Sequence, residues 1–374
     1  MPESHAASGG PAPVSTPTEA GSVAIVHDYL NQPGGAERVV LELARIWPQA
    51  PIYTSIYRPD STFPEFRERD IRRSAMDRIP VDRAFRALLP LYPAAFRSLG
   101  TLSEDLVISS SSGWAHGVRT APESTHVVYC HTPARWLYKG PEYTPSRTAR
   151  IALAPVTAAL RSWDRRAAKR ANLYLANSEN TRQRIRAAYG IEAEVVNPPV
   201  DTERFVARPR GKRLLVVSRL LPYKRVDLVV EAATRSGLPL DVVGTGPAID
   251  DLRAAAGPSV TFHGAATDEH IVALMEACRA VVVPGTEDFG IVSVEAQAAG
   301  KPVVAFAAGG SLETVEEGVT GVFFHDETAD AVLEAVRRAD ALATTPEEIA
   351  AGAERFSRAA FRDRMLEAVR RATA

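Results

Sequence analysis

Short apolar runs rich in Val, Ile and Leu alternate with stretches whose apolar residues recur at helical spacing, starting at Val23. Val23–Val26 is predicted to be a first buried strand, and Glu37–Trp47 the helix after it, with Val40, Leu43, Ala44 and Trp47 on one face. Further strands are predicted at Ala50–Tyr53, Leu106–Ser109, His126–Cys130, Leu173–Ala176 and Glu194–Val196, with helices around Arg147–Ala171 and Ser178–Ala188. Strand and helix in strict alternation imply an α/β class with a parallel sheet covered on both faces.

Asn197-Pro198-Pro199-Val200 and the Arg-rich stretch after it break the rhythm, because proline disfavours helix in the residue before it. A boundary is therefore placed near residue 200. The rhythm restarts with strands at Arg213–Val217, Leu240–Val243, Val260–His263, Ala280–Val283 and Pro302–Ala305. Helices lie between them at Arg225–Ser236, Ile249–Ala255, Asp268–Ala277 and Ile291–Ala299. The expectation is two Rossmann-like, doubly wound domains, residues 22–200 and 201–355, with a last helical stretch over 356–374. Residues 1–21, a mix of Ser, Gly, Pro, Ala and Thr without hydrophobic periodicity, are expected to form a disordered arm.

Composition narrows the function. At 374 residues and 45% hydrophobic, the chain can fill two cores, and 44 basic against 45 acidic residues excludes a wholesale polyanion binder. No nucleic-acid partner is expected. The charge is nonetheless uneven: residues 1–200 carry 24 Lys/Arg and 19 Asp/Glu, while residues 201–374 carry 20 and 26. Two cysteines in apolar context, Cys130 and Cys278, cannot build a disulfide scaffold, so a cytoplasmic protein is expected. No apolar run is long enough to span a membrane, and the N-terminus lacks the apolar stretch of a signal peptide.

Open α/β sheets bind ligands beyond the carboxyl ends of their strands, so the loops there are the first candidates. Gly34 and Gly35 follow the first strand and open a helix, where bare backbone can receive a phosphate oxyanion or simply make a tight turn. Arg219 and Lys224, in a loop after a second-domain strand, can reach a diphosphate, the first as a planar fork and the second as a point charge. Gly244 and Gly246 form a truncated glycine pair where a base or ribose would pack. Pro284–Ala296 carries Glu287 at the mouth and Glu295 one to two turns deeper, two acceptors suited to two sets of hydroxyls. Glu287 equally fits an acid complementing a helix N-terminus, and Glu295 a solvated helix face.

Gly34-Gly35, Ser218-Arg219 with Lys224, Gly244-Thr245-Gly246 and Glu287-x7-Glu295 with Phe289-Gly290 resemble the retaining GT-B glycosyltransferases of family 4 in order and spacing. His27-Asp28-Tyr29-Leu30, Gly34-Gly35-Ala36-Glu37-Arg38-Val39 and Tyr129-Cys130-His131-Thr132-Pro133 are similar, more narrowly, to the WbaZ-like mannosyltransferases of polysaccharide biosynthesis. The resemblance implies a GT-B fold and transfer of a hexose from a nucleotide sugar, GDP-mannose in the narrower group, to a glycan or lipid-linked acceptor. It implies that Gly34, Gly35, Arg219 and Lys224 hold the donor diphosphate, Glu287 the sugar hydroxyls and Glu295 the ribose. Asp288, Phe289, Gly290 and Ile291 would lie against sugar or phosphate, His131 beside the transferred sugar, and the C-terminal helix across on the first domain.

His263, at a strand end, is expected to border the base, and Asp28 either to meet the acceptor or to cap the glycine loop. No Asp-x-Asp or other metal-ligand spacing occurs, so Arg, Lys and amide groups are expected to offset the leaving charge without metal or cofactor. Phe66–Arg97 holds eight Arg against four acids among apolar residues, which suits an anionic membrane surface, as does Arg161–Arg170 after the apolar Ile151–Leu160. Two rival functions remain at this level: a UDP-sugar 2-epimerase on the same architecture, and a non-catalytic nucleotide-sugar-binding protein.

Overall fold

A computed structural model describes residues 21–79, 90–138 and 147–374. The expected arm at residues 1–21 lies almost wholly outside the described residues.

Two all-parallel sheets form the body. The first contains β1 (Val23–His27), β2 (Ile52–Thr54), β3 (Ile71–Arg73), β5 (Leu106–Ser111), β7 (Thr125–Cys130), β8 (Leu173–Ala176) and β9 (Glu194–Val195), in the order β3-β2-β1-β5-β7-β8-β9. Between them, β4 (Thr101–Leu102) and β6 (Arg119–Thr120) make a separate two-stranded ribbon. The second sheet contains β10 (Leu214–Val217), β11 (Leu240–Val243), β12 (Val260–Gly264), β13 (Ala280–Val283), β14 (Val303–Phe306) and β15 (Gly321–Phe324), in the order β12-β11-β10-β13-β14-β15. The central strands are continuous apolar runs because helices cover both of their faces.

Local chemistry sets the helix ends. Ser178 Oγ accepts the Thr181 amide to start Glu179–Tyr189, and Gly190 in the left-handed region stops that helix. Ser357 starts the last helix, Arg358–Thr373, in the same way. That helix packs Phe361, Met365, Ala368 and Val369 into the core of the first sheet, and the Phe361 ring meets Tyr129 edge-on at 5.8 Å. The chain thus passes between the sheets twice, and the two passages are joined where Val200 N donates to Phe356 O at 2.9 Å. Several elements have no counterpart among the predicted ones, among them β3, a half-polar edge strand; β15; and the helices Ala329–Asp340 and Pro346–Ala353, the last begun by a capping box between Thr345 and Glu348.

Candidate functional site

In each sheet the strand order reverses beside the first strand, at β1/β5 and at β10/β13, and the loops leaving those strands open a crevice. The loops after β1, β5 and β7 in the first domain therefore face those after β10 and β13 in the second. Gly35 marks the approach: a Cβ there would lie 2.9 Å from Ile291 Cδ1, at the start of the helix Ile291–Ala298.

On the second-domain side, Lys224 Nζ lies 2.5 Å from Glu287 Oε1. Arg219 is exposed, with no ion pair among the described residues. The two cations thus stand on one loop, one held by the acid from β13 and one open. Gly290, at φ +92°, caps Ile291–Ala298 in a conformation that L side chains rarely adopt. The Phe289 ring is buried edge-on against Phe356, 5.3 Å between centroids, so only its backbone faces the crevice chemistry. Glu295 is buried, its Oε1 3.5 Å from Arg204 Nη2. Burial raises its pKa, with Arg204 and Arg38 pulling the other way.

Two expectations change here, and the glycine pair shows a packing role. Gly244 and Gly246 pack backbone to backbone against the loop after β10, since a Cβ on them would stand 1.8 Å from Ser218 O and 2.3 Å from Leu220 O. His263 has both ring nitrogens engaged, by Asp241 at 2.8 Å and His270 at 3.3 Å. Asp288 does not face an open ligand site but takes ion pairs from Arg135 and Arg184 of the first domain.

On the first-domain side, Asp28 is buried, and its carboxylate accepts three amides, those of Ser112 at 2.5 Å, Trp114 at 2.8 Å and Ala115 at 2.7 Å. The expectation that it meets the acceptor is corrected, and so is its rival: it caps the loop after β5, not the glycine loop. Gly34 is the N-cap of Gly35–Ile46, and a Cβ on it would lie 2.4 Å from the Glu37 carboxylate. His131, just after β7, is 8% exposed, and its Nε2 lies 2.8 Å from Ser110 Oγ. Burial and the neighbouring His27 lower its pKa to about 3, so the ring is neutral.

Several residues at the crevice gave no signal in the sequence, because they act across the domain gap. Asp268 Oδ2 is shared by Arg38 at 2.9 Å and Arg204 at 3.1 Å, which hold its pKa low against the opposing effect of burial. Glu313 accepts the amides of Glu179 and Asn180, at 2.7 and 3.0 Å, at the start of a first-domain helix. The Arg38–Asp268 and Glu179–Glu313 contacts each link residues more than a hundred positions apart, which no local spacing reveals.

In the described parts of the stretch 66–97, Ile79 and Leu91 are exposed, while other apolar residues are buried. Phe66, Met76, Tyr92 and Phe96 are core residues, and Arg67, Arg72 and Arg73 are matched by Asp60, Asp70 and Asp77. Residues 80–89 of it lie outside the described residues. Large exposed apolar side chains also gather on the helix Arg147–Ala168, at Ile151, Leu153 and Val156. Arg161, Arg165, Arg166 and Lys169 line a basic trough at its other end. No described helix is long and apolar enough to cross a membrane.

Two family descriptions match this chain: "Glycosyltransferase Family 4" over residues 33–204 and "Glycosyl transferases group 1" over residues 200–356. Among curated relatives, a GDP-mannose-dependent alpha-(1-6)-phosphatidylinositol monomannoside mannosyltransferase of Mycobacterium tuberculosis is 38% identical over 192 residues, 42% of this chain and 50% of that protein. A D-inositol 3-phosphate glycosyltransferase of Mycolicibacterium gilvum is 32% identical over 188 residues, 43% of this chain and 42% of that one. The chain thus spans about half the length of the curated relatives it matches. In fold it is similar to Anabaena HepE, solved with UDP and glucose, at a TM-score of 0.71 and 21% identity over 94% of this chain and 99% of that one. Sucrose-phosphate synthase of Thermosynechococcus elongatus also gives a TM-score of 0.71, at 18% identity over 94% and 98%. The architecture is GT-B: two Rossmann-like domains facing across a crevice.

Proposed function

Because this chain belongs to glycosyltransferase family 4, we propose that it transfers a hexose from a nucleotide sugar, with retention at the anomeric carbon, to a glycan or lipid-linked saccharide. One observation carries this: Arg219 and Lys224 leave β10 beside Glu287, which leaves β13, at the switch point of the second sheet, facing the glycine turn of the first domain. Two cations and a row of amides at the start of Ile291–Ala298 suit a departing diphosphate. An acid beside them suits sugar hydroxyls, and buried Glu295 suits a ribose. The same cation pair favours transfer over 2-epimerisation.

GDP-mannose is the proposed donor, supported by the WbaZ-like segments and by the mycobacterial relative whose name states that dependence. The charge on the leaving group is proposed to be offset by side chains and amides without a metal ion. The acceptor's proton passes to the departing phosphate on the same face. We place the reaction in the cytoplasm, in keeping with two free, buried cysteines. For a lipid-linked acceptor, the exposed apolar and basic residues of Arg147–Ala168 are the surface proposed to meet an anionic bilayer.

Thermal-shift screening against GDP- and UDP-sugars tests the reading, since a ligand of the folded state raises its Tm. Stabilisation by GDP-mannose, and nucleotide release that EDTA leaves unchanged, are expected. No shift with any nucleotide sugar would overturn the donor site. Loss of release in EDTA, restored by manganese, would overturn the metal-free chemistry.

A further inference from the structure

Three consecutive serines of β5 are buried, and each bonds a different histidine. Ser109 Oγ lies 2.8 Å from His126 Nε2, Ser110 Oγ 2.8 Å from His131 Nε2, and Ser111 Oγ 3.2 Å from His116 Nδ1. His126 and His116 lie in the interior, where His116 pairs with Asp164 at 3.0 Å. His131 alone of the three stands at the crevice, so Ser110 is the serine whose hydroxyl bears on a ligand.

The protons along this row can be placed. β1 pairs His27 with Ser110, and His27 Nδ1 lies 3.0 Å from Ser110 O and 3.2 Å from Ser110 Oγ. A carbonyl oxygen only accepts, so His27 Nδ1 carries a hydrogen whether or not the ring is charged. Behind it, Glu37 Oε1 is 4.0 Å from His27 Nε2 and is held by Gln32 Nε2 at 3.2 Å. The Ser110 hydroxyl therefore faces a donor on one side. Its remaining neighbour is His131 Nε2, and unless that nitrogen accepts, a buried hydroxyl proton has nowhere to go. His131 Nε2 must then be bare, and in a neutral ring the proton sits on Nδ1.

We propose that Ser110, itself held by His27, is a positioning residue that fixes His131 as the Nδ1–H tautomer, so that His131 meets a ligand as a hydrogen-bond donor and not as a proton acceptor. The carboxylate of Glu37, 4.0 Å from His27 Nε2, supports the row only by favouring the doubly protonated ring, in which Nδ1 keeps its hydrogen as well. His131 is then suited to a sugar oxygen and unable to take the acceptor's proton, which leaves that task to the departing phosphate. What His131 touches rests on the glycosyl-transfer reading; its tautomer does not.

The test uses the full chain labelled with 15N-histidine, with His131 assigned by its loss in His131→Gln. Long-range proton–nitrogen spectra are expected to show His131 as Nδ1–H at neutral pH. Ser110→Ala should lose that single tautomer, and Ser110→Thr, which restores the hydroxyl, should regain it. An Nε2–H ring in the native chain, or an unaltered tautomer in folded Ser110→Ala, would overturn the relay. With GDP-mannose as donor, Ser110→Ala should lower kcat about tenfold with little change in KM, and Ser110→Thr should recover most of it. A shifted tautomer with undiminished kcat supports the relay and overturns its bearing on the ligand. Absence of turnover with every nucleotide sugar overturns the transfer reading, and the spectra still decide the relay.

Discussion

The Nζ of Lys224 lies 2.5 Å from Oε1 of Glu287, tying the loop after β10 to the loop after β13. A diphosphate bound there competes with the carboxylate for the same ammonium, so the lysine is pre-aimed before any donor arrives. Lys224→Ala should lower turnover of the donor about 10²–10³-fold, and Arg219→Ala by a similar factor. Initial rates with GDP-mannose check both, and near-native rates in the two variants would remove the cations from the chemistry.

Asp28 is a structural anchor. Asp28→Ala strands three amides, two of them belonging to the buried Trp114 and Ala115, and should cost about 2–4 kcal/mol of stability. Urea unfolding measures it. A variant of native stability with a raised acceptor KM would instead return Asp28 to the acceptor site.

Asp288 ties the domains through Arg135 and Arg184. Asp288→Ala should loosen the crevice, raising the radius of gyration in solution scattering and raising the donor KM more than it lowers kcat. An unchanged scattering profile would show that the clamp does not set the closed form.

Acid should destabilise the fold below the ordinary histidine pKa. His126 and His131 are lowered to about 3, chiefly by burial. Between about pH 6.5 and pH 3 the unfolded chain binds protons that the folded one does not, so stability present above pH 6.5 drains away as pH falls. His27 works in the opposite sense: burial lowers its pKa, but Glu37, Asp28 and the Ser110 carbonyl outweigh it and leave the value raised. Its contribution is full below pH 6.5 and is lost as pH rises through the folded value. Two histidines against one predict a net fall in Tm from pH 7 to pH 5, which His126→Gln should make shallower.

Vesicle co-sedimentation addresses the exposed helix. Ile151→Glu with Leu153→Glu should abolish binding to phosphatidylglycerol vesicles while leaving nucleotide-sugar thermal shifts intact. High salt should weaken the native chain's binding. Equal binding by native and variant chains would separate this helix from any membrane contact.

Much of the frame was legible in the sequence because parallel strands are apolar throughout and short. Leu240–Val243, Ala280–Val283 and Asp268–Ala277 fall where the periodicity predicts them. β3 escaped because Arg72 and Arg73 give an edge strand a polar pattern, and β15 because its glycine start reads as a turn. At the site, Lys224 and Glu287 are seen to meet, whereas Asp28, His263 and Asp288 turn to protein partners. Those partners, from Ser112 to Arg184, come from other loops, helices and strands, and spacing along the chain carries little trace of them.

Tyr129 touches His131 edge-on at 5.2 Å and, on its other side, Phe361 of the last helix. The tail of the polypeptide thereby props the floor beneath a crevice histidine from behind. Damage at Phe361 would be felt as a fault in the chemistry although nothing that meets a ligand had been altered. The second domain is strapped to the first at both ends, and the two straps lie side by side where Val200 meets Phe356.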